Sequence, residues 1–251
     1  MEINQQIQRA AELISKTQAI VAMTGAGIST PSGIPDFRSP DSGLWEKADP
    51  MAVASIYAFR QNPQKFYDWI HPLSHLVLEA KPNAAHYALA ELERQGKLKA
   101  IITQNIDDLH SKAGSQKVYE LHGHLRELTC IQCHQVQDSA AIFQKFVNDG
   151  QVPHCHCGGI LKPNVILFGE QLPTQEYVSA QLTIEDVDLM LIVGSSLEVA
   201  PASDLPELAL RNGTKLIIIG LQPTYLDSKA ELVIRGDVAE VLPLIVDFVT
   251  I

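Results

Sequence analysis

Short apolar runs alternate with amphipathic stretches along most of the 251 residues. In MEINQQIQRAAELISK, Ile3, Ile7, Ala11 and Ile14 recur at helical spacing and predict an amphipathic first helix. Ala19 to Met23 is a continuous apolar run of the kind a buried parallel strand needs. Similar runs predict strands at Leu98 to Thr103, Val118 to Leu121, Val165 to Phe168, Leu189 to Val193, Lys215 to Ile219 and Leu232 to Ile234. Pro40 to Ala80 shows no clear strand, and Phe59, Phe66, Tyr67, Trp69 and Leu76 suit a packed helical insert. Asn83 stands where it caps a helix with Leu89 and Leu92 inward, and Gly96 ends that helix. Asp237 to Val249 predicts a closing helix. Strands alternating with helices give an α/β fold with a doubly wound parallel sheet. Cys130 to Leu161 interrupts that rhythm, with a short helix expected at Ser139 to Asn148.

The polar residues cluster where such a sheet binds ligands. Gly25-Ala26-Gly27 follows the first strand, and glycine lets backbone N–H groups approach a pyrophosphate closely. The dinucleotide fingerprint is incomplete, because Thr30 occupies the place of its third glycine and the acidic residue expected about 20 residues on is missing. Asp36-Phe37-Arg38-Ser39 reads as a polar lid over that turn. Gln104-Asn105-Ile106-Asp107-Asp108 follows a second strand; Asn105 and Asp107 suit either a helix cap or ribose hydroxyls. Gly194-Ser195-Ser196 offers backbone and hydroxyl donors to phosphate or ribose. His122 closes another strand beside Gly123, where its ring can stand at the carboxyl edge of the sheet; a lone histidine there is also compatible with a structural role. His86 and His124 read as surface or core hydrogen-bonding groups.

Cysteine usage adds a metal. Cys130-x-x-Cys133 and Cys155-x-Cys157 are two thiol pairs separated by 21 residues, and two such pairs can close a tetrahedral structural Zn²⁺ site. The second pair is tight, so His134, His154 or His156 could replace one sulfur. A chain 46% hydrophobic and 19% charged can bury a real core. Its first helix is not a signal-peptide pattern and no run is long enough to span a bilayer, so a cytoplasmic protein without membrane partners is expected. A net charge of −10 argues against nucleic-acid binding and is compatible with cationic, lysine-bearing peptides.

Together GAGIST with PDFRS, TQNID, LHGH, the paired cysteines, KPNVILFGE and GSSLEVAP resemble, in this order, the sirtuins, NAD-dependent protein-lysine deacylases, over roughly Ala10 to Val238. The resemblance implies a deacetylase of the bacterial and archaeal type, acting as a monomer on acetyl-lysine proteins or peptides. It implies a discontinuous Rossmann-like NAD-binding domain (1–37, 83–122 and 165–251) and a smaller domain (38–82 and 123–164) of helical insert plus zinc module, with the active site between them. In that reading Gly25, Ala26 and Gly27 hold the pyrophosphate, and Asp36, Phe37 and Arg38 form the lid. Gln104, Asn105 and Asp107 line the nicotinamide and ribose pockets; Gly194, Ser195, Ser196, Asp237 and Val238 hold the adenosine end. Val165, Leu167, Phe168 and Gly169 pair with the substrate backbone as an added strand. Cys130, Cys133, Cys155 and Cys157 bind structural zinc. His122 is the general base in a reaction that releases nicotinamide and 2′-O-acetyl-ADP-ribose.

Two features depart from the family pattern. Gly220 stands where many relatives place a ribose-binding asparagine, with Gln222 nearby as a substitute. The Tyr–Arg pair that receives acidic acyl groups is missing, since Tyr67 is followed by Ile70; uncharged acyl groups, acetyl first, are expected over succinyl. A mono-ADP-ribosyltransferase shares the nicotinamide cleavage and is the alternative, but ribosyl transfer does not require a base at His122.

Overall fold

A computed structural model describes residues 2–36, 43–44 and 48–249. The chain begins with α1 (Ile3–Lys16) and β1 (Ile20–Thr24). Three helices follow, α2 (Pro50–Val53), α3 (Ile56–Gln61) and α4 (Pro63–Glu79), then α5 (Ala84–Arg94), β2 (Leu98–Thr103), α6 (Leu109–Lys112) and β3 (Val118–Glu120). Next come β4 (Gly123–Cys130), β5 (Val136–Asp138), α7 (Ala140–Asp149) and β6 (Leu161–Val165). The chain closes with α8 (Thr174–Glu185), β7 (Leu189–Val193), α9 (Leu205–Arg211), β8 (Lys215–Ile219), β9 (Leu232–Ile234) and α10 (Val238–Asp247).

Six of these strands form one parallel sheet in the order β3-β2-β1-β7-β8-β9. The strand order runs outward in one direction from β1 and in the other from β7. The β1–β7 boundary is therefore the switch point where a doubly wound sheet opens a ligand crevice. Every residue of β1 and β7 is buried, because helices cover both faces. Ile14 of α1, Leu89 of α5 and Leu242 of α10 pack on one face against Ile101 and Leu191. Ile184 of α8 and Leu205 of α9 pack on the other against Met23 and Ile192.

The expected helix at Asn83 is present: Asn83 Oδ1 accepts from Ala85 N at 2.9 Å, and Gly96 adopts φ 76° just beyond the end. Leu89 and Leu92 are fully buried. Ile3 and Leu76, expected on apolar faces, are instead largely exposed, each lying toward an end of its helix.

The interrupting segment folds as a second sheet, antiparallel, in the order β5-β4-β6. One expected strand is corrected by it. The stretch beginning at Val165 does not rejoin the parallel sheet: β6 ends there, paired with β4, and Ile166 and Phe168 continue as irregular chain hydrogen-bonded to His122 and Ala54. The sequence does not announce β4, whose residues mix buried and exposed positions without clean alternation. The helical insert and the cysteine segment share a core in which Phe59, Phe66 and Tyr67 meet Phe143 and Phe146.

Candidate functional site

A cleft of about 590 Å³ opens at the carboxyl ends of the parallel strands and runs under the helical insert. Its floor is the Gly25-Ala26-Gly27 turn, seated directly on the loop after β7. Gly27 N donates to Gly194 O at 2.8 Å, and a Cβ on Gly27 would stand 2.8 Å from that same oxygen. A Cβ on Gly25 would stand 2.9 Å from Ser195 Cβ, so this close contact excludes a side chain at either glycine. From Ala26 onward the chain makes two 3₁₀ turns, Ala26–Ile28 and Thr30–Ser32, rather than an α-helix. Any phosphate there would meet backbone amides without an α-helix N-terminus behind them.

The loop after β2 forms the next wall. Asn105 Nδ2 donates to Gly25 O at 3.2 Å and to Ser29 Oγ at 3.1 Å, and Ser29 Oγ donates to Asp107 Oδ2 at 2.7 Å. Asp107 Oδ1 accepts from Leu109 N at 2.9 Å, so this carboxylate also holds the first amide of α6. All three residues are buried. Burial raises the Asp107 pKa, against the lowering effect of its two hydrogen bonds. Behind this layer Thr24 Oγ1 donates to Thr103 Oγ1 at 2.8 Å, and His110 Nε2 lies 2.9 Å from Thr24 Oγ1. Thr103 Oγ1 in turn accepts from Asn105 N at 3.0 Å, tying the ends of β1 and β2 to the loop.

His122 stands at the mouth of this wall. Its Nδ1 lies 3.0 Å from Gln104 O. A carbonyl only accepts, so Nδ1 carries the proton and Nε2 keeps its lone pair in the neutral ring. Burial lowers the His122 pKa, and the bond to Gln104 opposes that shift. Gln104 also donates through Nε2 to Ser195 Oγ at 3.3 Å. Thus one glutamine touches both the histidine and the loop after β7.

Every described residue expected at the cofactor, base and substrate sites lines this cleft, from Gly25, Ala26, Gly27 and Asp36 to Asp237 and Val238. Phe37 and Arg38 lie outside the described residues. Asp237 has a structural task as well, since its carboxylate caps α10 by accepting from Ala239 N at 2.7 Å. Gly220 and Gln222 also line the cleft; a Cβ on Gly220 would meet only Gly194 backbone at 3.8 Å, so crowding does not explain the glycine. Sequence reasoning missed Ser29 and His110. Ser29 sits two residues past the glycine turn, a detectable position, whereas His110 is identified only by its burial behind Thr24. Opposite the polar wall, Phe66, Trp69, Ile70, Leu73 and Phe143 give the cleft an apolar side.

The four cysteines come together away from the cleft. Their sulfurs lie within 4.8 Å of one another, with no histidine in the group among the described residues. Cys130 and Cys157 sulfurs are 3.6 Å apart, and those of Cys133 and Cys155 are 3.7 Å apart. A tetrahedral Zn²⁺ with bonds of about 2.3 Å has edges of about 3.8 Å, so the donor set fits this ion. Gln132 N and Cys133 N donate toward Cys130 Sγ, as amides do around a metal-bound thiolate. His156 stays outside the group, its Nδ1 3.4 Å from Cys155 Sγ.

Comparison with known proteins agrees with this geometry. A family model described as the Sir2 family matches residues 25–201. An NAD-dependent protein deacylase 2 of Archaeoglobus fulgidus is 46% identical over 96% of this chain and 95% of its own length. An NAD-dependent protein deacetylase of Sulfurisphaera tokodaii is 46% identical over 94% and 93%. Among solved structures, one described under the mechanism and regulation of Sir2 enzymes has a TM-score of 0.93 at 46% identity, covering 98% of both chains. Another, a histidine-to-alanine variant of a Sir2 protein with deacetylated p53 peptide and 3′-O-acetyl-ADP-ribose, has a TM-score of 0.91 at 39% identity over 96% of this chain and 98% of that one.

Proposed function

The chain belongs to the Sir2 family, and from that premise we propose that it is an NAD-dependent protein-lysine deacetylase. Bound NAD would supply the ribose carbon that takes the acyl-lysine oxygen as nicotinamide departs, and water then completes the release of free lysine and 2′-O-acetyl-ADP-ribose. The remaining work belongs to residues of this chain. Gly25, Ala26 and Gly27 present backbone amides to the pyrophosphate, and Gly194, Ser195, Ser196, Asp237 and Val238 receive the adenosine end. Gln104, Asn105 and Asp107 line the nicotinamide and ribose pockets, with Ser29 bonded to both Asn105 and Asp107. Asp36 lines the cleft, and Phe37 and Arg38, which lie outside the described residues, would shield the reacting ribose carbon with it. Val165, Leu167, Phe168 and Gly169 form the wall along which the acyl-lysine segment lies. The apolar side of the cleft favours an uncharged acyl group.

The observation that carries the reading is the His122–Gln104 hydrogen bond. It orients a neutral imidazole whose free Nε2 takes a proton from a ribose hydroxyl, and burial keeps that ring unprotonated near neutral pH. Cys130, Cys133, Cys155 and Cys157 would hold zinc, whose contribution is to the fold of the module. We divide the chain into a large domain of 1–37, 83–122 and 165–251 and a small one of 38–82 and 123–164, supported by the two sheets and by the core that insert and module share. The proposal includes a monomeric cytoplasmic protein that acts on proteins or peptides rather than on nucleic acid or membranes; the charge of −10 supports the exclusion of nucleic acid. Among the described residues no helix is long and apolar enough to cross a membrane.

The test is a mass-spectrometric assay of an acetyl-lysine peptide with NAD. Wild type is expected to release nicotinamide, free-lysine peptide and O-acetyl-ADP-ribose in equal amounts. His122→Ala should lower turnover by about 10²–10⁴, or roughly 3–5 kcal/mol of barrier. Nicotinamide release without deacetylation, or an unaffected variant, would overturn the reading.

A further inference from the structure

The substrate wall has a feature that the proposed function does not use. Lys162 lies on β6, and its ammonium lies 2.9 Å from Glu170 Oε2, in a pair whose side chains are only 13% and 24% exposed. The same ammonium donates to Pro163 O at 3.2 Å and Val165 O at 2.8 Å. Glu170 Oε2 also accepts from Leu167 N at 2.8 Å, and Glu170 N donates back to Leu167 O at 3.0 Å. Two side chains therefore clasp the backbone of the very stretch expected to receive a peptide strand.

Their effect on the available hydrogen bonds is specific. Ile166 N donates to His122 O at 2.8 Å, and Phe168 exchanges bonds with Ala54 O and Ile56 N. Leu167 is occupied at both its amide and its carbonyl by Glu170, and the Val165 carbonyl by Lys162. Among the described residues of 166–169, Gly169 alone has both its amide and its carbonyl unengaged, and it lines the cleft. Gly169 adopts φ 88°, and a Cβ there would stand 2.9 Å from the Tyr57 ring, so no other residue fits without strain.

Resting on the deacetylase reading and its peptide wall, we infer that Lys162 and Glu170 are positioning residues: by engaging the Val165 and Leu167 backbone they leave Gly169 as the point of that wall open to the substrate main chain. Val165 and Leu167 then contribute apolar wall, with their side chains in the core shared with Phe66 and Phe143. The bonds of Lys162 and Glu170 all fall within 162–170, away from the Gly25 turn and the Asn105 network, so the clasp acts on peptide binding and leaves NAD binding alone.

The test separates the two substrates. Glu170→Ala and Lys162→Met should raise the KM for an acetyl-lysine peptide roughly tenfold, the scale of one lost charge-assisted hydrogen bond, while KM for NAD stays within about twofold. Glu170→Gln keeps an oxygen for Leu167 N–H and should recover part of the loss; it also serves if the alanine variant fails to fold. In wild type, adding the peptide should slow exchange of the Gly169 amide and leave the Leu167 amide as protected as before. An unchanged or lowered peptide KM, a parallel rise in KM for NAD, or loss of Leu167 protection on peptide binding would overturn the clasp. Absence of wild-type turnover with acetyl peptide and NAD would instead overturn the deacetylase reading itself.

Discussion

The two sheets of this chain are held by different physics. In the six-stranded sheet, β1 and β7 are buried at every position and apolar helices cover both faces. In the three-stranded sheet, β4 is only partly covered and β5 is mostly exposed. At its cysteine end the small sheet buries only Leu128, Cys130, Cys155 and Leu161, while Val165 at its other end joins the core shared with the helical insert. At that cysteine end so few apolar groups cannot offset the conformational entropy of ordering β5 and the two cysteine loops. Where burial is scarce, metal–thiolate bonds take its place, and the order of the cysteine end of the small sheet becomes conditional on zinc while that of the large sheet does not.

The largest effect expected from this contrast is metal removal. Structural zinc contributes about 10–16 kcal/mol of binding free energy in small zinc-dependent folds. Stripping zinc with a chelator, or making Cys133→Ser, should abolish hydrogen-exchange protection across β4, β5 and β6. Protection across β1 and β7 should persist. Deacetylation should also stop, because β6 leads directly into the substrate wall. Simultaneous loss of protection in both sheets would break the comparison and make the chain one cooperative unit.

Acid should expose a weakness in the stronger region. His86 and His110 sit side by side behind the cleft, ring centres 4.9 Å apart, both buried. Burial lowers the His86 pKa to about 4 and the His110 pKa to about 3. Both folded values lie below the unfolded value of about 6.5, so in the interval the unfolded chain binds protons that the folded chain does not. Stability present above pH 6.5 should therefore fall as pH drops towards 4, by an amount on the order of a few kcal/mol. Amide protection in β1 and β7 is the proper readout, because zinc binding by the module is itself pH-dependent. His110→Gln should flatten the slope; an equally steep slope would assign the acid sensitivity to other groups.

The same contrast explains what was legible in the sequence. The parallel strands were readable because burial on both faces leaves continuous apolar runs, as in Leu189 to Val193. The cleft residues were readable because they follow those strands directly. β4 was not, since GHLRELTC faces a core on some positions and solvent on others without a clean period. Paired cysteines marked the metal, but the absence of His134, His154 and His156 from the group required geometry. His110 and the Lys162–Glu170 clasp depend on contacts between elements distant from each other or on irregular chain, and no local pattern encodes them. The helix cap at Asn83 lies at the other extreme: a local rule found it, and the structure adds a tertiary part.

Asn83 gives the smallest and most selective probe. Its Oδ1 caps α5, while its Nδ2 donates to Ile28 O at 2.8 Å and Ser32 Oγ at 2.9 Å, tying that helix to the chain just beyond the glycine turn. Loss of the cap alone costs about 1 kcal/mol. Asn83→Ala should therefore lower Tm by about 2–4 °C in a chain of this size, with a somewhat larger share if the two outer bonds contribute. Asn83→Asp keeps the Oδ1 acceptor but sets a charged oxygen against Ile28 O in place of the Nδ2 donor, so its shortfall from wild type reports the lost tether together with that repulsion. Because these contacts all belong to the large-sheet side, zinc content should be unchanged in both variants. If either variant releases zinc, the two regions share more stability than their separate cores imply, and the contrast between burial and metal would hold only for their local packing.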